Sequence, residues 1–139
     1  MLCDLEQRRV RTEQVMARFR ARPFSWTGRR TCIHLARAQM VAFGHQPPTL
    51  PDMRSAISAR HALNATGHDS LEALLDSLLP RIAPAAMWLG DLALMAGTED
   101  FGAIVINAGG KVLGYADGYD GLQVIQPIGP NPFSAAWRL

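Results

Sequence analysis

The sequence predicts an α+β fold in which helices come first and a small antiparallel sheet follows. Three observations carry this. Apolar residues recur at helical spacing from Leu5 to Leu79. Short apolar runs separated by Gly, Asp and Asn fill the last third of the chain. Strands and helices do not alternate, which argues against βαβ units and a parallel sheet.

Taken in order, Leu5 to Arg20 reads as a first helix, with Leu5, Thr12, Val15, Met16 and Phe19 near one face and Pro23 closing it. Phe24, Trp26 and Gly28 form an aromatic-glycine loop. Thr31 to Phe43 suits a second helix, because Cys32, Leu35, Ala36, Met40 and Phe43 make one stripe. Gly44 is its stop signal, and the breaker run HQPPTLP follows. The middle segment, residues 52–79, reads as Ser55 to Leu63, a turn over Asn64 to His68, and an amphipathic helix from Ser70 to Leu79 ended by Pro80.

Beyond it, strands are expected at Met87 to Leu89, Leu92 to Met95, Phe101 to Ile106, Lys111 to Tyr115 and Leu122 to Ile125. In FGAIVINAGGKVLGY, Ala108, Gly109 and Gly110 mark a hairpin turn, since glycine accepts the positive φ that tight hairpins need. The closing segment IGPNPFSAAWRL has few periodic cues, although Phe133 and Trp137 suggest that it docks.

A chain of 139 residues, 48% hydrophobic and 19% charged, is long enough to bury a real core, and residues 1–139 are expected to form a single domain. Its charge is uneven. Met1 to Ala38 holds nine arginines against Asp4, Glu6 and Glu13, whereas the remainder is net acidic. This basic N-terminal helix, about residues 1–22, suits an acidic partner or an anionic surface, with a solvated helix face as the plainer reading. No RNA-binding or zinc-finger signature accompanies it, so no nucleic-acid partner is expected. The N-terminus lacks a secretory pattern and no apolar stretch is long enough to span a bilayer, which predicts a soluble protein made in a cytoplasm. Cys3 and Cys32 lack metal-ligand spacing and are expected to be free thiols. No metal or cofactor motif is present in the sequence, and none is expected.

The stretch PFSWTGRRTCIHLARAQMVAFGHQPPTLP resembles the nucleophile segment of NlpC-type cell-wall cysteine peptidases, which are papain-like. GDLALM, from Gly90 to Met95, resembles the Gly-Asp-Leu strand start of that family, and FGAIVINAGGKVLGY the strand-turn-strand after it. A variant group of small phage tail-tip proteins is similar in Pro23, Phe24, Trp26, Gly28, Cys32, Ala136, Trp137 and Arg138. Thr27, inserted between Trp26 and Gly28, and Thr31, where Asp or Ser usually precedes the cysteine, depart from that pattern.

The resemblance makes Cys32 the tentative nucleophile. A helix N-terminus beside Arg29 and Arg30 would lower its pKa, while burial on an apolar stripe would raise it. The family's catalytic histidine position is Phe101 in this chain, and a phenyl ring accepts no proton. The orienting position falls near Gly114 or Tyr115. His34, about 200° around the helix from Cys32, points away from the thiol. His45, His61 and His68 read as surface or loop residues. Asp91 carries either acidic chemistry or, as the plainer reading, turn geometry. The resemblance therefore implies a vestigial nucleophile and a structural component of a bacteriophage tail tip or baseplate in the virion. Its partners would be other tail proteins and host peptidoglycan. Arg8, Arg9, Arg11, Arg18 and Trp137 are contact candidates. The alternative is an active peptidoglycan-cleaving cysteine peptidase or amidase that uses Cys32.

Overall fold

The structure, a computed structural model, describes residues 5–20, 23–95, 102–115, 121–129 and 131–139. Four helices precede an antiparallel sheet: α1 (Leu5–Phe19), α2 (Cys32–Ala42), α3 (Ala56–Ala65) and α4 (Leu71–Leu78). The strands are β1 (Arg81–Ile82), β2 (Leu92–Met95), β3 (Ala103–Asn107), β4 (Val112–Tyr115), β5 (Leu122–Ile125) and β6 (Phe133–Trp137). No helix among the described residues is long and apolar enough to cross a membrane.

The helix ends follow from their capping residues. Thr31 caps α2, its hydroxyl oxygen accepting from the backbone N–H groups of Ile33 and His34. At the other end Gly44 (φ +90°) lets His45 N donate to Met40 O and Gly44 N to Val41 O, which closes the helix in a Schellman motif. Ser55 and Ser58 form a capping box at the start of α3, and the Ser70 hydroxyl accepts from Ala73 N at the start of α4.

The sheet order is β1-β6-β2-β3-β4-β5, with every neighbour antiparallel. Period-two alternation gives it two different faces. Leu92, Leu94, Ile104, Ile106, Leu113, Ala135 and Trp137 face the helices and join Val15, Phe19, Leu35, Met40, Leu71 and Leu75 in one hydrophobic cluster. Ala93, Val105, Val112 and Ala136 lie in a second cluster with half-buried Ile82, Met87, Met95, Ile125 and Phe133. The predicted β3–β4 turn forms as expected: Ala108 N donates to Lys111 O, and Gly109 and Gly110 both take positive φ, near +82° and +81°.

Three expectations are corrected. Met87 to Leu89 is not a strand. A 3₁₀ turn over Pro84–Ala86 precedes it, Trp88 is largely exposed, and the short strand at this edge is Arg81–Ile82. The C-terminal segment does more than dock, because Phe133–Trp137 is a strand inside the sheet, bonded to both β1 and β2. Leu5, placed on the inner face of α1, is exposed; the buried side is Arg8, Thr12, Val15 and Phe19. Phe101, expected to open β3, lies outside the described residues, as does Cys3.

Candidate functional site

Cys32 is the first residue of α2 and packs at the edge of the main core. Its environment decides between the two opposing effects expected at a helix N-terminus. Burial pushes the thiol pKa up, and the hydrogen bonds from the backbone of Ile104, Cys32 and Ile33 only partly offset it. No histidine is hydrogen-bonded to Cys32 among the described residues, which include all four histidines.

His34 turns elsewhere. Its Nδ1 lies 2.8 Å from Thr31 Oγ1 at the helix cap. The side chain is buried, and burial, together with the positive charges of Arg29 and Arg37, pushes its pKa down to about 4. The Thr31-x-x-His34 spacing, N-cap to third helical residue, is the sequence signal for this contact. His45 lies in the loop after α2, exposed His61 on α3, and His68 in the turn after α3.

Tyr115, on β4, packs against the same core cluster as Cys32. Its hydroxyl is buried and has no hydrogen-bond partner among the described residues. Burial pushes the phenol up to about 12. A phenol that stays protonated that far cannot take the thiol's proton at neutral pH. Phe24 stacks edge-on against both Tyr115 and Trp26, at centroid distances of 5.5 and 5.7 Å. The aromatic-glycine loop therefore leans on the Cys32 side of the sheet.

The loop itself is a tight turn in which Ser25 and Arg30 exchange backbone hydrogen bonds of 3.0 and 2.8 Å. Gly28 sits close under two side chains here. A Cβ would stand 2.9 Å from Ser25 Oγ and 3.0 Å from Arg30 Nη1. The left-handed position falls on Arg29, at φ +59°, a conformation unusual for a side chain of this size. Arg29 is held there by Asp52 and Leu50 O, at 2.9 and 3.3 Å from its Nη2.

Asp91 closes a turn with Trp88, its N–H donating to Trp88 O at 3.1 Å as the plainer reading expected, and its carboxylate does more. It is fully buried, accepts three hydrogen bonds and forms a further ion pair with Arg138. Oδ1 takes Arg8 Nη2 and Leu139 N, and Oδ2 takes Trp88 N at 2.8 Å with Arg138 Nε 2.9 Å away. Arg8 also donates to Leu89 O at 2.7 Å, and Arg138 lies 3.6 Å over the Trp88 ring. Two contact candidates are thereby corrected. Arg8 is 2% exposed and Trp137 is fully buried, with its indole N–H on Asp76. Arg9 pairs with Glu6 and Glu13 on the outer face of α1, Arg11 is half-buried, and Arg18 is exposed.

The middle segment packs on the Ile33 side of α2. An apolar cleft there is lined by Ile33, Ala36, Pro48, Leu71, Leu74 and Ile104, with a neighbouring one toward α3 reached by Met53, Ala59 and Leu63. Residues 52–79 thus cover the flank beside the Cys32 end of α2.

Fold and site together define a small α+β protein with a half-buried cysteine at a helix N-terminus and a buried carboxylate hub. The chain belongs to the DUF6950 family, a domain of unknown function, whose profile matches residues 4–139. No curated protein matches it. Among solved structures it is similar to RipD from Mycobacterium tuberculosis, described as a non-catalytic NlpC/p60 domain protein adapted to peptidoglycan binding. The TM-score is 0.45 and the identity 20%, over 93% of this chain and 97% of that one.

Proposed function

We propose that this chain is a non-catalytic papain-like domain of the NlpC type that serves as a structural part of a phage tail tip or baseplate. The observation that supports it is the surroundings of Cys32: a thiol pushed up by burial, contacted by backbone, with no histidine bonded to it among the described residues. Nucleophilic catalysis needs a thiolate and a base in hydrogen-bond reach, and at Phe101 the sequence offers neither base nor acid. In this reading Cys32 is a vestigial nucleophile that now packs. The placement in a tail is supported by the sequence pattern from Pro23 to Cys32 and by the Ala136-Trp137-Arg138 ending. Docking falls to the outer face of α1, where exposed Leu5 and Val10 stand beside Arg9.

The test combines thiol reactivity with wall cleavage and particle content. Iodoacetamide labelling of the folded protein is expected to be slow at neutral pH and to appear on unfolding, and purified cell walls are expected to keep their turbidity. A thiol titrating well below about 8.5, with wall cleavage lost in Cys32→Ala, would establish the cysteine peptidase instead. Mass spectrometry of purified phage particles from the producing host is expected to find the chain at a fixed copy number. Its absence from particles, with retention on sedimented peptidoglycan, would replace the tail role with a wall-binding one.

A further inference from the structure

Two adjoining clefts lie beside the turn that precedes Cys32. One, of about 350 Å³, is lined by Arg18, Phe19, Gly28, Arg29 and Arg30. The other, of about 240 Å³, shares Arg18, Phe19 and Arg29 and adds Arg37 and His34. Neither cleft is lined by Asp or Glu among the described residues. Asp52, which pairs with Arg29, lines neither cleft among the described residues.

The arginines are held in position by loop carbonyls. Arg29 Nη2 donates to Leu50 O, and Arg37 Nε donates to Pro48 O at 3.0 Å, which leaves the other N–H groups of both guanidinium forks uncommitted by any side chain but Asp52. Arg18 and Arg30 have no acidic partner among the described residues.

His34 supplies an independent pointer. Thr31 Oγ1 already accepts from two backbone N–H groups, so its own proton is the one shared with His34 Nδ1. The imidazole proton then sits on Nε2. That Nε2–H is buried and has no partner among the described residues, on a side chain only 7% exposed that lines the cleft. A buried donor without an acceptor costs stability unless a ligand completes it.

We propose that the second cleft binds a phosphate-type oxyanion, held by Arg18, Arg29 and Arg37 and by the Nε2–H of His34, with Arg30 adding positive charge from the adjoining cleft. Donors from α1, the Ser25–Arg30 turn and α2 approach from three elements. A tetrahedral oxyanion accepts hydrogen bonds on all sides, whereas a carboxylate accepts chiefly in its plane. Arginine forks match such oxygens in pairs. The left-handed Arg29 is the kind of backbone outlier that collects at ligand clamps. This inference goes beyond the non-catalytic reading, since a reactive Cys32 would leave these arginines where they are.

Calorimetric titration at constant ionic strength, with the His34 ring followed by NMR, tests it. Inorganic phosphate and dimethyl phosphate serve as the probes, with acetate as the control. Saturable binding of either phosphate, with the His34 Nε2–H resonance moving and acetate at least tenfold weaker, is the expected result. The two probes separate a phosphomonoester from a phosphodiester source. Arg37→Gln and, on the exposed face, Arg18→Gln are each expected to weaken binding about tenfold, the scale of one charge-assisted hydrogen bond. Phosphate binding no tighter than acetate overturns the proposal. So does binding unchanged in both variants, because Arg18→Gln touches nothing the fold depends on.

Discussion

Arg8 and Asp91 form an ion pair across 83 residues of sequence, with side chains 3% and 0% exposed. Around it, Trp88, Arg138 and Leu139 converge on the same carboxylate, so one buried charge ties α1, the entrance to β2 and the segment after β6 together. The Gly90-Asp91-Leu92 stretch that looks like a family signature is, in this chain, the centre of that joint.

Removing the carboxylate should therefore cost far more than one surface pair. Asp91→Ala leaves two arginines and two backbone N–H groups facing an empty position. Breaking a buried pair from one side typically costs about 3–5 kcal/mol. Urea unfolding followed by far-UV circular dichroism is expected to show a loss of that order. A change below about 0.5 kcal/mol, as at ordinary surface sites, would mean that the hub does not hold the fold.

Gly90 allows the same joint to close. It has φ +93°, and a Cβ would stand 2.6 Å from Phe43 Cζ and 2.9 Å from Thr12 Oγ1. Its carbonyl and Thr12 Oγ1 both accept from Gln39 Nε2 at 3.0 Å. Gly90→Ala combines backbone strain with a clash against ring and hydroxyl, and is expected to destabilise by about 2–3 kcal/mol. The control Gly109→Ala shares the positive φ, at +82°, but meets nothing within 4 Å. A thermal melt that ranks Gly109→Ala as the more damaging would contradict this account.

His34 gives stability a pH dependence of definite sign. Its folded pKa, about 4, lies below the ordinary 6.5, so the unfolded chain binds the proton more readily. The contribution is complete above about pH 6.5 and is lost as pH falls toward 4. His34→Gln is expected to flatten the stability profile in this window. An unchanged slope between the two values would place the pH dependence elsewhere.

A second acid limb belongs to Asp76. Arg81 chiefly, and the indole N–H of Trp137 after it, hold this carboxyl down at about 2 against an ordinary 3.8. The stabilisation is present above pH 3.8 and disappears as pH drops toward 2. Trp137→Phe removes the smaller influence, so the Asp76 carboxyl resonance in an NMR titration should move only part of the way back. Arg81→Gln should return it further. The opposite ranking would reverse the assignment of causes.

The local half of this architecture was legible in the residues. Helix stops at Gly44 and Pro80, the Gly109-Gly110 hairpin and the Leu35-Ala36-Met40 stripe all rest on interactions within a few positions of each other. What escaped depends on partners far away in sequence. Arg8 is one of nine arginines near the start of the chain, and nothing local separates it from Arg9, which stays in solvent. FSAAW is too short and too rich in small residues to announce a strand, and its place is set by the free edges of β1 and β2. The Met87 to Leu89 run is apolar, yet Trp88 is committed to the Arg138 guanidinium. The arginine cleft needs three elements to meet. Only the Thr31-x-x-His34 spacing hinted at one of its members.

The position of β6 between β1 and β2 bears on the order in which the chain can mature. Among the described strands Phe133–Trp137 is synthesised last, yet this segment fills an interior lane of the sheet. Until it arrives, β2 has an unpaired edge and Asp91 lacks Leu139 and Arg138. A nascent chain stalled before residue 133 would offer that edge to any neighbouring strand, so the sheet stays open on that side until residues 133–137 are made.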